Sequence, residues 1–175
     1  MKKIFLLVFF AVFSFNLTAQ QKNLHHNPWE LIIYRPENSP SMNEVRCYLR
    51  LLDEQGNDVT FSAAKATYEW ASIPNVVNQY QKTRWLSGGV AMHLNLKPGK
   101  YKISFYTPPD KQYPYPSENR NQWESNVFEY DTSNPAKVIF VSPTANDNGF
   151  YSGGWFIDYK APAYFENVGM PTKNI

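Results

Sequence analysis

The chain contains a single cysteine, and this scarcity excludes an entire mode of stabilisation. Cys47 is alone among 175 residues, so no disulfide can form within the chain, even in a compartment that permits one. The fold must therefore be stabilised by packing. Phe, Trp and Tyr make up 17% of the residues, which is typical of a large, aromatic-rich core.

An excess of charge of either sign is also missing. The chain has 17 basic and 15 acidic residues, and two of the basic ones, Lys2 and Lys3, belong to an N-terminal segment that we expect to be removed. The remaining basic and acidic residues are then equal in number, at 15 each. This balance provides no electrostatic surface for nucleic acid or for an anionic membrane, so no nucleic-acid partner is expected.

Only one long apolar run is present, and it lies at the start of the chain. Lys2 and Lys3 precede twelve mostly apolar residues, 4–15, and Ala19 offers a small residue before a cleavage point. The run suits a secretory signal and is shorter than the ~20 residues that span a bilayer. We therefore expect residues 1–19 to be a signal peptide and the mature chain to be exported, periplasmic or secreted, without a transmembrane segment. An uncleaved membrane anchor is the alternative.

Signatures of catalysis and of metal binding are absent from the sequence. It has no G-x-S-x-G, no H-E-x-x-H and no glycine-rich phosphate loop, which removes the common hydrolase and nucleotide-binding motifs. His25 and His26 are adjacent, so their side chains point opposite ways on an extended chain. His93 falls on the polar face of a predicted strand. We expect solvated surface histidines, no metal, no cofactor and no enzymatic activity.

Alternating apolar residues, the signature of β-strands, are abundant. Residues 44–52 place Val45, Cys47, Leu49 and Leu51 on one face, and a polar face on the other that consists of Arg46, Tyr48 and Arg50. The pattern predicts a strand with one face in the core and one in water. Further strands are predicted at residues 29–34, 65–71, 90–96, 100–107, 126–130, 136–142 and 155–159, and no helix of convincing length is predicted.

The centre of this pattern is residues 94–106, where two alternating runs flank Pro98 and Gly99. Proline followed by glycine is typical of a type II turn, in which the glycine takes a positive φ. Such a turn fits a tight hairpin poorly, so we expect a corner between two sheets. Tyr101 follows the corner at once and is expected to hydrogen-bond back to the backbone a few residues upstream.

Leu94, Leu96, Pro98, Gly99 and Tyr101 together form the pattern L-x-L-x-P-G-x-Y, which resembles that of the carboxypeptidase regulatory-like (prealbumin-like) domains. The stretch LRLLDEQGNDV, residues 49–59, resembles the early D-x-x-G hairpin of the same family. The two motifs together cover 19 residues of the chain. The resemblance implies an all-β fold, an immunoglobulin-like or prealbumin-like antiparallel β-sandwich of about 7–9 strands.

The domain organisation follows from these elements. We expect a flexible N-terminus at residues 20–28, one β-sandwich domain at residues 29–160 and a C-terminal tail at residues 161–175. Trp70, on the predicted strand 65–71, is expected to fill the position of the buried tryptophan of immunoglobulin domains, with Cys47 and Ile103 as apolar neighbours.

Two loops carry the candidate binding residues. Residues 108–125 contain four prolines, which deny the segment ladder hydrogen bonds, and loops of this length are frequently functional. Residues 143–154 form a second loop rich in Asn and Gly. If both loops lie at one end of the sandwich, their aromatic and polar side chains would suit a sugar ring or an extended peptide. The predicted ligand-binding residues are Tyr113, Tyr115, Arg120, Trp123, Tyr151 and Trp155.

Three functions remain open on this basis. The first is an exported, non-catalytic module that binds a protein or glycan partner in the cell envelope. The second is a structural or assembly subunit of an envelope complex, which would pair an edge strand such as residues 29–34 with another chain. The third is a hydrolase that uses an unrecognised pair of carboxylates among Asp110, Glu118, Glu124 and Asp158.

Overall fold

Two five-stranded sheets face each other across one apolar interior. A computed structural model describes residues 30–63, 65–69, 81–112, 121–145 and 151–163. The strands are β1 (Glu30–Arg35), β2 (Cys47–Leu52), β3 (Lys65–Glu69), β4 (Trp85–Leu86), β5 (Val90–Asn95), β6 (Lys100–Thr107), β7 (Trp123–Glu124), β8 (Phe128–Asp131), β9 (Val138–Ala145) and β10 (Tyr151–Asp158). A short helix, α1 (Pro40–Glu44), and a 3-10 turn (Pro109–Lys111) are also present.

The strand order confirms an all-β sandwich. Sheet A has the order β10-β9-β1-β5-β3, and sheet B has the order β4-β2-β6-β7, with β8 also paired to β6. Among the strands that the structure describes, every strand pairing is antiparallel except that of β1 with β9, which is parallel. The sandwich is therefore dominated by antiparallel pairs, as expected, with one parallel pair that the sequence pattern did not indicate.

The core forms where the alternation predicted it. Val45, Cys47, Leu49 and Leu51 are all buried, and the outward residues of β2 are only partly buried. Inward residues of β5 and β6, such as Met92 and Phe105, belong to the same cluster. Because the period of a strand is two, one correctly placed apolar residue determines the face of all the others.

The corner around Pro98 and Gly99 connects sheet A to sheet B, as predicted, because β5 belongs to the first and β6 to the second. Tyr101 Oη donates a hydrogen bond to the backbone oxygen of Lys97 at 2.9 Å, which confirms the expected bond across the corner. The type II geometry is wrong in detail: the φ of Gly99 is +151°, whereas a type II turn needs roughly +80°. The Gly99 amide donates to Thr132 Oγ1 at 2.9 Å instead.

Helix α1 was not predicted from the sequence. Ser39 is its N-cap, and its hydroxyl accepts a hydrogen bond from the amide of Met42. Pro40 occupies the first helical turn, where its missing N–H costs nothing. Met42 is fully buried. The helix is only five residues long and depends on this tertiary contact, because so short a helix is unstable alone.

The prediction of a second loop at residues 143–154 needs correction at both of its ends. Strand β9 continues to Ala145 and β10 already begins at Tyr151. The pairing shifts register between Tyr151 and Trp155, and Gly153 adopts a φ of +78° within this stretch. The glycines that read as a loop therefore allow an irregularity inside a strand. Residues 146–150 lie outside the described part of the chain.

The view of β1 as an edge strand is also wrong. Strand β5 pairs with it on one side and β9 on the other, so β1 has no free edge for strand addition. Its outward side chains are covered as well: Ile32 and Tyr34 form a second buried cluster with Ala91 and Phe140. The parallel pairing with β9 joins residues that are about a hundred positions apart, which local patterns do not reveal.

His93 lies on this outer face of sheet A and is not the solvated residue that was expected. It is 9% exposed, and its Nδ1 lies 2.8 Å from Glu30 Oε1. Ala91, two residues before it in the same strand, is fully buried. Both positions are buried because the outer face of this sheet is itself apolar around them.

Several predictions fall on residues that the structure does not describe. They concern the signal peptide at residues 1–19, the N-terminus at residues 20–28, the pair His25 and His26, and Trp70. The described strands run from Glu30 to Asp158. No helix in the described ranges has the length and apolar composition needed to cross a membrane.

Candidate functional site

The stems of the two predicted binding loops lie side by side at one end of the sandwich. The segment after the first loop reaches the second stem directly: Ser125 forms a bridge with Trp155, and a Cβ at Gly153 would lie 3.0 Å from Trp123 Nε1. The first loop is clamped at its base by Gln112, which is fully buried. Its Nε2 donates to the backbone oxygens of Thr107 at 3.2 Å and Asn121 at 2.6 Å, so the two ends of the loop are tied together.

Two of the six predicted ligand-binding residues are packed into the interior. Trp123 is 3% exposed and Trp155 is 1% exposed, and their ring centres lie 6.0 Å apart at an angle of 60°. Neither indole offers an open face to solvent. Trp123 is the first residue of β7 and Trp155 lies within β10, and both side chains belong to the core cluster between the sheets.

Of the other four predicted residues, the structure describes only Tyr151. Tyr151 is half-buried; its hydroxyl donates to Asn38 Oδ1 at 2.6 Å and lies 3.2 Å from Ser39 Oγ. It therefore ties β10 to the N-cap of α1. Tyr113, Tyr115 and Arg120 lie outside the described residues. A ligand-binding role for the six stays a prediction.

A buried arginine explains why Trp155 is held in the interior. The Arg35 guanidinium lies 4.5 Å from the Trp155 ring centre and donates to the backbone oxygens of Met42 at 2.5 Å, Leu86 at 3.1 Å and Val45. Trp155 Nε1 in turn donates to Thr107 Oγ1 at 2.9 Å. These bonds join α1 and both sheets beneath the loop end.

An open depression of about 610 Å³ lies at the same end, between α1, β4 and the 3-10 turn. It borders directly on the clamped loop, because the 3-10 turn ends one residue before Gln112. The residues that line it are charged or polar apart from one tryptophan: Asn43, Glu44, Arg46, Trp85, Ser87, Asp110 and Lys111. Lys111 Nζ lies 3.0 Å from Asp110 Oδ2 in an exposed ion pair, which is worth little in free energy.

Arg46 is the best-positioned charge in this depression. Its guanidinium lies 4.4 Å from the centre of the Trp85 ring, and Trp85 is only 4% exposed, so the ring is a fixed base. The backbone of Arg46 is also held, since its oxygen accepts a hydrogen bond from Thr107 Oγ1 at 2.6 Å. Within the described chain the guanidinium forms no hydrogen bond and no ion pair.

The same arrangement continues along the outer face of sheet B. Arg50 lies 5.0 Å from the ring centre of Tyr106, and the Tyr48 and Tyr106 rings are 5.6 Å apart. Strand β2 and the residue before it thus present Arg46, Tyr48 and Arg50 on one half-exposed face. In the sequence, Arg46, Tyr48 and Arg50 were recognisable as the polar side of an alternating strand. Their aromatic partners were not, because these come from β4 and β6.

A second depression, of about 430 Å³, lies near the inter-sheet corner at the opposite end. It is lined by Asp53, Glu54, Lys100, Tyr101, Lys102, Glu129, Tyr130 and Asp131. A hydrogen bond from the Asn57 side chain lowers the pKa of Asp53, and one from Ser133 lowers the pKa of Asp131. A general acid needs the opposite shift, so these two carboxylates are poorly suited to that role.

Two other reactive side chains that the structure describes, Cys47 and Glu124, are engaged in contacts within the protein. Burial raises the pKa of the Cys47 thiol, which lies on the core face as expected and donates weakly to the backbone oxygen of Leu86. Glu124 Oε1 accepts a hydrogen bond from Gln122 Nε2 at 2.6 Å. Glu118 lies outside the described residues. No group of three or more His, Cys, Asp or Glu side chains in the described ranges is arranged to hold a metal ion.

The sequence matches no protein-family model, and neither a curated protein nor a solved structure is significantly similar to it.

Proposed function

We propose that this protein is an exported, non-catalytic β-sandwich module that binds a protein or glycan partner in the cell envelope. The observation that carries the proposal is the Arg46 guanidinium, stacked on a buried Trp85 and without a hydrogen bond to any described residue. A side chain that is held in place while its donors remain unused is prepared for a partner. The depression around it provides the space.

A protein partner is favoured over a glycan by the lining of the depression. Sugar rings pack on open aromatic faces, and the Trp85 face is already covered by Arg46. Charged side chains line the depression, Arg46 and Lys111 beside Glu44 and Asp110, and such a surface suits a charged polypeptide segment.

We further propose that the sandwich belongs to the prealbumin-like class that its motifs resemble. Two observations support this. The residues Pro98 and Gly99 connect the two sheets, and Tyr101 bonds back across that corner. The turn after β2 contains Gly56 with a φ of +82°, in the D-x-x-G stretch.

The assembly alternative has lost its main support, because β1 is flanked on both sides within sheet A. Size-exclusion chromatography of the mature chain separates the two functions. A monomer is expected for a binding module, and a stable oligomer would favour an assembly subunit.

The binding proposal is tested by comparing variants at the two ends of the sandwich. Cross-linking of the mature chain, residues 20–175, to cell-envelope proteins is measured for Ser87→Arg and Lys111→Glu in the depression. Lys97→Glu, an exposed residue at the opposite end, is the matched control. We expect the first two variants to lower the yield of one specific adduct at least about tenfold, as is typical for residues at the centre of an interface.

Equal adduct yields for all three variants would overturn the assignment of this end of the sandwich. The same comparison on immobilised glycans decides the class of partner. Binding that appears only on glycans, and that depends on Ser87 and Lys111, would replace the protein partner with a glycan. Circular dichroism of each variant verifies that it is folded.

A further inference from the structure

We propose that the partner segment is an acidic peptide, and that Arg46 binds one of its carboxylates while Arg50 binds a second. The inference rests on the proposed function and specifies the chemistry of the partner. It assigns a role to the outer face of sheet B, which includes the depression at one end and continues along β2.

The stacked geometry fixes what Arg46 can bind. A guanidinium is planar and carries five N–H donors, all directed outward in its own plane. The Trp85 ring lies beneath the guanidinium, 4.4 Å from its central carbon, and so limits how the group can move. A planar, bidentate acceptor is the best match for such a fork, and a carboxylate has this shape.

Two other arginines, Arg35 and Arg84, show that a guanidinium over an aromatic ring can use its donors within the chain. Arg84 also lies near an aromatic ring, 5.4 Å from that of Phe61, but its guanidinium donates to the backbone oxygens of Gln81 at 2.7 Å and Thr60 at 3.4 Å. Arg35 donates to three backbone oxygens. Like Arg35 and Arg84, Arg46 lies over an aromatic ring. Unlike theirs, its N–H groups donate no hydrogen bond to a described residue.

The charges around Arg46 favour a carboxylate over a phosphate. Glu44 and Asp110 line the same depression, and Lys111 is already paired with Asp110. A phosphate group carries close to two negative charges at neutral pH and would be repelled by both acidic side chains. A single carboxylate requires one cation, and Arg46 supplies it.

The spacing of the face predicts a motif in the partner. Arg46 and Arg50 are four residues apart, which in a strand corresponds to about 13 Å. An extended peptide places its residues i and i+4 at the same separation, with residue i+2 on the same face between them. Tyr48 lies between the two arginines and contacts the Tyr106 ring. The matching peptide is therefore acidic at i, apolar at i+2 and acidic at i+4.

A peptide also fits the face better than an acidic sugar chain. The two aromatic rings that neighbour the arginines, Trp85 and Tyr106, each have a guanidinium over one face. A uronic acid would bring a carboxylate but would find these faces occupied. The apolar residue of the peptide, in contrast, needs only the half-exposed Tyr48.

The decisive experiment is an NMR titration of the mature chain with the peptide acetyl-GEGLGEG-amide. The Arg Nε–Hε resonances report directly on guanidinium hydrogen bonding. We expect those of Arg46 and Arg50 to shift and those of Arg35 and Arg84 to stay in place. The peptide with glutamine in place of glutamate, acetyl-GQGLGQG-amide, should cause no such shifts.

Variants test the role of the planar guanidinium group of Arg46. Arg46→Gln should weaken peptide binding by about tenfold or more, the range expected for a hydrogen bond between charged groups. Arg46→Lys keeps the charge but loses the planar, bidentate donor group, so we expect it to weaken peptide binding as well. Lys97→Gln, at the far end of the sandwich, should leave binding unchanged. If Arg46→Gln does not fold, the titration of the wild-type chain still decides.

Three results would overturn the inference. They are equal binding of the glutamine peptide, an Arg46 resonance that does not move, and tighter binding of trigalacturonic acid or inorganic phosphate than of the acidic peptide. The proposed function is tested separately by the cross-linking experiment. An adduct that depends on Ser87, Lys111 and Arg46 but is not displaced by an excess of acetyl-GEGLGEG-amide would leave that function in place and remove the acidic peptide.

Discussion

The guanidinium of Arg35 lies 4.5 Å from the centre of the Trp155 ring, and both side chains are almost completely buried. They come from β1 and β10 of sheet A, whereas the oxygens that Arg35 binds belong to Met42, Val45 and Leu86. One cation thus connects sheet A to α1 and to β4 of sheet B. The positions of α1 and β4, and with them the walls of the depression, depend on this contact.

Replacement of Arg35 should therefore be costly. Arg35→Met removes three buried hydrogen bonds from a charged donor, and a hydrogen bond of this kind contributes about 1.5–3 kcal/mol. We expect the free energy of unfolding to fall by about 3 kcal/mol or more in urea denaturation. Arg50→Met is the matched control, since that residue is half-exposed, and it should cost less than about 1 kcal/mol. Equal losses for the two variants would contradict the structural role of Arg35.

The corner bond of Tyr101 provides a second prediction. Tyr101→Phe removes the hydrogen bond to the Lys97 oxygen and keeps the ring in the core. We expect the free energy of unfolding to fall by about 1 kcal/mol, the usual net contribution of one hydrogen bond. Urea denaturation measures the change. Tyr106→Phe, on the outer face of sheet B, serves as the control and should change stability by less than about 0.5 kcal/mol.

Tyr130 should behave in the opposite way to Tyr101. It is 1% exposed, and no described residue accepts or donates a hydrogen bond at its hydroxyl. Because a buried hydroxyl without a partner is unfavourable, Tyr130→Phe should leave the free energy of unfolding unchanged or raise it by up to about 1 kcal/mol. A loss as large as that of Tyr101→Phe would show that this hydroxyl has a partner.

The pH dependence of Tyr130 follows from the direction of its pKa shift. Burial, together with the nearby Tyr159 and Asp131, raises the pKa of Tyr130 from 10.0 to about 12. A raised pKa in the folded state means that stability is retained below the unfolded value and is lost as the pH increases from about 10 to about 12. Urea denaturation across this range should show a smaller loss for Tyr130→Phe than for the wild type. Parallel losses would contradict the assignment.

The clamp at the base of the first loop can be opened selectively. Gln112→Ala removes the two hydrogen bonds to Thr107 and Asn121. We expect tryptic cleavage after Arg120 to become several-fold faster, because local opening exposes a segment to proteases. Gln122→Ala, an exposed neighbour that bonds only to Glu124 among the described residues, is the control. Unchanged cleavage in Gln112→Ala would show that the loop is held in another way.

The candidate site was only partly predictable. Residues 108–125 were recognised as a special segment because four prolines exclude regular pairing, and the described stem of that segment does border the depression. Trp123 and Trp155 were expected near a ligand, but the structure places both in the core. An aromatic residue beside a loop has the same local sequence context whether it faces solvent or packs inward, and only the neighbouring sheet distinguishes the two.

Local chemistry by itself determined the period-two faces of β2, β5 and β6, the burial of Cys47, the turn between sheets at Pro98 and Gly99, and the bond of Tyr101 across it. Each depends on residues that are close in the chain, so the pattern was sufficient. Tertiary structure alone decided the central place of β1, the burial of Ala91 and His93, and the pairing of Arg46 with Trp85 and of Arg50 with Tyr106. These relationships join residues that are far apart in the chain, and their energies arise only when the two sheets have closed.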